Sequence, residues 1–142
     1  MINRNSFLRF ILICLLGIIY PSFKSLNEEK RLPKILILGD SISIGYFPFI
    51  EKSLFGKADI RRPMLPNGGF ENCGGTSKAL KHIYNWIGET NWDLIHFNFG
   101  LHDIKHVNPI NGKNSNSFND PHQASPEQYE DNLEKIVEIL KK

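Results

Sequence analysis

Residues 34–45, KILILGDSISIG, decide how we interpret the fold. Residues 35–38 form a short apolar run, as expected for a strand buried on both faces within a parallel sheet. Gly39 permits a sharp turn, and Asp40 and Ser41 follow where the strand ends and a helix can begin. In an open α/β sheet, ligands bind at the carboxyl ends of the strands, and a helix N-terminus favours negative charge there. Asp and Ser are also ordinary turn and N-cap residues, so this stretch alone does not establish a catalytic site.

Residues 1–25 have the pattern of a targeting segment. Arg4 and Arg9 precede an apolar run at residues 10–20, and no acidic residue occurs before Glu28. The pattern predicts a signal peptide or, alternatively, an N-terminal membrane anchor; a buried N-terminal helix is the competing interpretation. We therefore expect an exported protein that is secreted, periplasmic or anchored through this segment.

The net charge and the cysteine count bear on nucleic-acid binding and on disulfide bonding. The 142-residue chain has a formal net charge of +2 at pH 7. Three of its 17 basic residues lie in residues 1–25, and the remainder has one more acidic than basic residue. This balance gives no indication of a nucleic-acid partner. Cys73 is the only cysteine after residue 25, so removal of that segment leaves no pair for an intrachain disulfide.

The remaining residues, 26–142, are expected to form one α/β domain. Pro48 predicts an interruption, so that residues 42–55 begin as a loop and end as a short helix. Ser125, followed by Pro126 and Gln128, has the pattern of a capping box at the start of a last helix. The further predicted elements are strands at 35–38, 58–61 and 92–99, a helix at 76–86 and a surface loop at 108–125.

The end of the chain indicates an incomplete domain. The last predicted helix has an apolar stripe that includes Tyr129, Ile136 and Leu140, and the chain stops at Lys142. In an α/β fold such a helix normally leads back to another strand. Three strands also make a small sheet. We therefore expect the C-terminal part of the domain to be missing; the alternative is a fragment that does not fold stably, because its sheet edge is exposed.

Three blocks follow the predicted strands in order: Gly39-Asp40-Ser41, residues 72–77 (NCGGTS) and residues 100–103 (GLHD). In these blocks, from about Lys34 to Lys142, the chain resembles the SGNH, or GDSL, hydrolase family. The resemblance implies a three-layer α/β/α sandwich with a parallel sheet in flavodoxin-like strand order. It also implies a serine esterase or acylhydrolase that cleaves carboxylic esters of carbohydrates or lipids and needs no metal or organic cofactor.

The resemblance assigns roles to individual residues. Ser41 would be the nucleophile, and its own N–H and the N–H of Gly74, or alternatively of Gly75, would donate to the oxyanion. His102 stands where the family most often has asparagine; a neutral imidazole also donates one hydrogen bond, so His102 is the presumptive third donor. A loop histidine without a catalytic task is the alternative.

Three further residues are expected to support the same site. Asp40 belongs to the first block, and Asn98 lies on the third predicted strand, where it would help to organise the site. Asp103 is expected to brace its loop by accepting backbone N–H groups rather than to take part in the chemistry.

The general base of the family, an Asp-x-x-His pair near the C-terminus, is not found at the corresponding place. Asp93–His96 lies in a predicted strand, where residues three apart point to opposite faces. Asp103–His106 directly follows the third block. This pair would lie beside the oxyanion donors rather than across from Ser41, where a base is needed. The sequence therefore leaves a second hypothesis open, a catalytically inactive paralogue that binds an ester or glycan. Arg61 and Arg62 are interpreted as a solvated pair, with contact to an anionic substrate group as the alternative.

Overall fold

The structure is a computed structural model that describes residues 31–142. The predicted signal peptide or anchor, residues 1–25, lies outside the described residues. The elements in chain order are β1 (Lys34–Gly39), α1 (Ser41–Ser53), β2 (Asp59–Arg61), α2 (Thr76–Ile87), β3 (Leu94–Asn98) and α3 (Pro126–Leu140).

The three described strands form a parallel sheet in the order β2-β1-β3. Leu36 is in register with Arg61, and Gly39 with Asn98. The central strand β1 is therefore the apolar run that the sequence identified, paired on both sides. The prediction of an α/β fold with a parallel sheet is confirmed, and the observed order is that of the first three strands of a flavodoxin-like sheet.

Helices cover both faces of this sheet because successive side chains of a strand point to opposite faces. Leu36 and Leu38, both nearly inaccessible, pack with Cys73 and with aromatic residues of α2 and β3. Helix α1 lies on the other face, since a Cβ on Gly39 would meet the side chain of Ser43 in α1. Helix α3 packs on α2, where Ile136 forms an apolar cluster with Ala79 and Ile83.

Helix α1 is continuous through Pro48, so the predicted loop at its start is wrong. Asp40 caps the helix by accepting a hydrogen bond of 2.9 Å from the N–H of Ile42. Phe47 is only 3% exposed and its ring meets that of Phe70 edge to face, at 5.1 Å between centroids. A proline inside a helix costs about 3 kcal/mol. Capping and burial of the neighbouring side chain offset that cost here.

The later elements agree with the sequence to within one or two residues. Helix α2 extends one residue beyond the predicted end, and β3 is shorter than predicted by two residues at its start and one at its end. The predicted cap of α3 is confirmed, because Ser125 Oγ accepts a hydrogen bond of 3.2 Å from the N–H of Gln128. Within residues 31–142, no helix has the length and apolar character needed to span a bilayer.

Candidate functional site

The first two sequence blocks lie against each other at the carboxyl end of β1. The carbonyl of Gly39 accepts a hydrogen bond of 3.0 Å from the N–H of Cys73. A Cβ on Gly39 would collide with the side chains of Asn98 and Ser43. Glycine is therefore needed here for the close approach of β3 and α1, and the hydrogen bond from Cys73 brings the loop of residues 62–75 to the same end of β1.

Ser41 is the first residue of α1 and its side chain is exposed. Its N–H is one of the groups at a helix start that have no partner within the helix. The neighbouring carboxylate of Asp40 is 1% exposed and accepts hydrogen bonds from Ile42 N–H at 2.9 Å and Asn98 Nδ2 at 3.2 Å. The structure thus fixes the backbone around Ser41 and leaves its hydroxyl open to solvent.

Asp103 joins the third block to the second. Its carboxylate, 1% exposed, accepts the N–H of Thr76 at 2.9 and 3.1 Å and the Thr76 hydroxyl at 2.6 Å. Asn132 of α3 extends this network, since its Nδ2 donates to Thr76 Oγ1 at 3.0 Å. Asp103 therefore braces its loop against the N-terminus of α2 by accepting a backbone N–H, as expected from the sequence. The buried Asn132 had no sequence signal, because it lies within an otherwise amphipathic helix.

The two glycines of the second block have different surroundings. Gly74 has a φ of +67°, and its N–H donates to Asn72 Oδ1 at 2.9 Å, so this expected oxyanion donor is already engaged. The side-chain acceptor two residues earlier is the usual arrangement of an Asx turn. No described residue accepts a hydrogen bond from the N–H of Gly75. A Cβ on Gly75 would come within 2.8 Å of Asp103 Oδ2, so the brace requires glycine there.

His102 is half-buried in the loop that follows β3. It lines an open cavity of about 330 Å³ together with Leu101, Ile104, Lys105 and Asn114. A second cavity, of about 470 Å³, shares Ile104 and has mainly apolar walls that include Ala124, Pro126 and Tyr129. His102 therefore faces space that a small ligand can enter.

Asn98 belongs to a polar chain beneath α1. The Tyr46 hydroxyl lies 3.4 Å from Asn98 Oδ1 and 3.1 Å from His96 Nε2. The pKa of Tyr46 is raised overall, chiefly by burial. The charge of Arg62 acts to lower it, and that of Asp40 acts to raise it. His96 and Asn98 share one face of β3 because they are two residues apart, which sequence alternation can reveal. The participation of Tyr46 depends on how α1 is placed and carries no such signal.

The first Asp-x-x-His string is not assembled near Ser41. Asp93 accepts the N–H of Lys34 at 2.8 Å, at the amino end of β1 and hence at the opposite end of that strand. His96 contacts Tyr46 instead.

The second string is also separated into two groups. Asp103 is occupied by Thr76, whereas His106 Nδ1 lies 2.6 Å from the carbonyl oxygen of Asp120. The His106 ring stacks on His122 with 4.5 Å between centroids. Among residues 31–142, no side chain forms a hydrogen bond with the Ser41 hydroxyl, and the two strings do not supply a base there.

Arg61 and Arg62 differ, so their interpretation as a solvated pair is wrong. Arg61 is exposed and pairs with Asp59 at 2.7 Å. Arg62 is only 5% exposed, and its guanidinium lies 5.5 Å from the ring centroid of Phe47 and 5.2 Å from that of Phe70. The short β2 ends at Arg61, and the chain then turns Arg62 inward under α1. Two consecutive arginines in a sequence do not reveal which of them is buried.

Comparisons with models of protein families, with curated proteins and with solved structures found no match to the chain. Within the described part of the chain, no three His, Cys, Asp or Glu side chains are grouped so as to hold a metal ion. The functional assignment therefore depends on the arrangement of the site itself.

Proposed function

We propose that this chain carries the nucleophile and the oxyanion site of an SGNH-type serine esterase or acylhydrolase. The observation that supports the proposal most is the convergence of three sequence blocks. Hydrogen bonds join Gly39 to Cys73, Asp40 to Asn98, and Thr76 to Asp103. Each hydrogen bond joins segments more than 25 residues apart. Together these three hydrogen bonds, the frame of the site, fix the carboxyl ends of β1 and β3 relative to each other.

In this proposal the Ser41 hydroxyl attacks the carbonyl carbon of a carboxylic ester. The tetrahedral oxygen is stabilised by N–H groups at the start of α1 and at the second block, and by His102. Loss of one such donor typically lowers the rate about 10²–10³-fold. Collapse of the intermediate expels the alcohol with a proton, and water then hydrolyses the acyl-serine.

Of the two glycines, Gly75 is better placed than Gly74 to donate to the oxyanion. The N–H of Gly74 would have to leave Asn72 before it could reach an oxyanion, whereas that of Gly75 has no acceptor among the described residues. The resemblance implies an Asp-x-x-His pair as the general base. The described residues around Ser41 do not include such a pair.

Labelling with a fluorophosphonate probe tests the proposal. We expect the full chain to be labelled slowly on Ser41, as mass spectrometry of the peptides would show, and to hydrolyse the activated ester p-nitrophenyl acetate slowly, because the described residues supply no base at Ser41. Ser41→Ala should abolish both, while Ser53→Ala, which alters an exposed serine at the other end of α1, should retain both. Equal labelling or hydrolysis in Ser41→Ala would refute the proposal.

A second candidate function is binding of an ester or glycan without turnover. Two observations favour it: the described residues supply no base at Ser41, and the Gly74 N–H is engaged by Asn72. It predicts no labelling of Ser41 and no hydrolysis above the Ser41→Ala background.

We also propose that residues 1–25 direct export of the protein. The basic residues before an apolar run support this. Sequencing the N-terminus of the protein recovered outside the cytoplasm tests it, since a mature start near residue 26 is expected for a cleaved signal peptide.

A further inference from the structure

Arg62 is the most unusual buried group among the described residues. Its side chain is 5% exposed, and no carboxylate of residues 31–142 lies within ion-pair distance of it. Nη2 donates to the carbonyl of Glu71 at 3.1 Å, whereas Nε and Nη1 are buried without an acceptor among these residues. A buried charge without an ion-pair partner is costly to a fold, so its presence calls for an explanation.

The position of Arg62 connects it to the candidate site from two sides. Its guanidinium lies against Phe47 of α1, the helix that begins at Ser41. Its hydrogen bond holds Glu71, two residues before Cys73, which is itself bonded to Gly39. Two residues span at most about 7 Å, so the guanidinium lies within roughly 10 Å of the Cys73 backbone.

We propose that Arg62 is a positioning residue and buried cation that stabilises negative charge at the carboxyl edge of the sheet, between Ser41 and Gly75. The inference rests on the proposed function, because the charge in question is the oxyanion formed by attack of Ser41. Ser41 is exposed but Arg62 is buried, so the attraction between the guanidinium and an oxyanion acts partly through the protein rather than wholly through water. The burial that makes Arg62 costly also makes its charge effective.

The neighbouring titratable groups are consistent with a field of this sign. The pKa of the Cys73 thiol is raised overall, chiefly by burial, while a hydrogen bond of the thiol with the Gly39 backbone and the charges of Arg62 and Lys78 act to lower it. Glu71 acts in the opposite direction on Cys73. Burial also lowers the pKa of Arg62 itself.

The first test compares fluorophosphonate labelling rates of Ser41 in three full-length variants. Arg62→Met, which removes the charge and keeps the stem, should slow labelling roughly tenfold if the oxyanion lies about as far from the guanidinium as the Cys73 backbone does, at about 10 Å and the effective dielectric of a protein surface. Arg62→Lys, which keeps the charge, should stay within about threefold of the wild type. Arg61→Met, a change to the exposed neighbour, should leave the rate unchanged. Arg62→Gln replaces Arg62→Met if the latter does not fold.

Equal slowing by Arg62→Met and Arg62→Lys would overturn the proposal, since it would indicate a purely structural role. An unchanged rate in Arg62→Met would also overturn it.

The second test does not depend on an active serine. In a Cys14→Ser background, the thiol pKa of Cys73 is measured by NMR of ¹³C-labelled cysteine. Arg62→Met should raise this pKa, and Arg62→Lys should not. If Ser41 is unlabelled in every variant, the proposed function fails, while a raised pKa of Cys73 still supports the action of Arg62. An unchanged pKa in Arg62→Met would refute that action directly.

Discussion

The brace made by Asp103 is expected to be one of the largest single contributions to stability near the candidate site. The carboxylate is 1% exposed and accepts the Thr76 N–H at 2.9 Å and the Thr76 hydroxyl at 2.6 Å. Asp103→Ala leaves both donors buried without their acceptor. A hydrogen bond to a charged group contributes about 1.5–3 kcal/mol, so the loss of two should lower the free energy of unfolding by about 3–6 kcal/mol.

Urea unfolding followed by circular dichroism measures this change on the full chain. For a domain of this size each kcal/mol shifts the melting temperature by about 4–8 °C, so a decrease of more than about 10 °C is expected as well. Asp131→Ala is the matched control, because Asp131 forms an exposed pair with Lys135 at 2.6 Å. That pair should contribute only about 0.3–0.5 kcal/mol.

A loss below about 1 kcal/mol for Asp103→Ala, or one equal to that of Asp131→Ala, would refute the reasoning. A double-mutant cycle adds a sharper test. In a Thr76→Val background the hydroxyl donor is already absent, so Asp103→Ala should cost less than it does in the wild type. Additive losses would show that the two side chains act independently, contrary to the 2.6 Å contact.

Three further predictions concern the rest of the fold. Ile136→Ala, at the inaccessible contact of α3 with α2, should cost about 2–5 kcal/mol in urea unfolding; a loss below about 1 kcal/mol would show a looser contact. Ser125→Ala removes the acceptor of the Gln128 N–H and should cost about 1 kcal/mol, so an unchanged denaturation midpoint would contradict the cap. Burial raises the pKa of Cys73, so the unfolded state releases this proton first as pH rises. The free energy of unfolding should therefore decrease above about pH 8.5 more steeply in the wild type than in Cys73→Ala, and parallel pH profiles would exclude this contribution.

The sequence could predict those features that depend on local pattern. The apolar run before Gly39 identifies the central strand, and helices between successive strands imply parallel pairing. The Ser125 cap is equally local, since the donor and acceptor are three residues apart. The expectation that the three blocks meet also follows from pattern, because the carboxyl ends of parallel strands share one edge of a sheet.

What the sequence could not predict depends on contacts between distant segments. Pro48 is tolerated in α1 because Phe47 is buried against Phe70, more than 20 residues away. Arg62 differs from Arg61 only through its place under α1. The hydrogen bond that engages Gly74 is local, yet the choice between Gly74 and Gly75 as donor requires knowing that Asn72 turns its side chain toward the former.

The frame of the site and its chemistry can be separated by experiment. Asp103 and Asn98 join separate segments of the chain, so their loss should lower the activity of an esterase and the affinity of a non-catalytic binding protein alike. Ser41 contributes no side-chain hydrogen bond among the described residues, and its removal should leave the frame intact. A variant that changes only the Ser41 hydroxyl therefore distinguishes turnover from binding. Variants of the frame measure only the stability with which the loop of residues 62–75 and the loop after β3 are held in place.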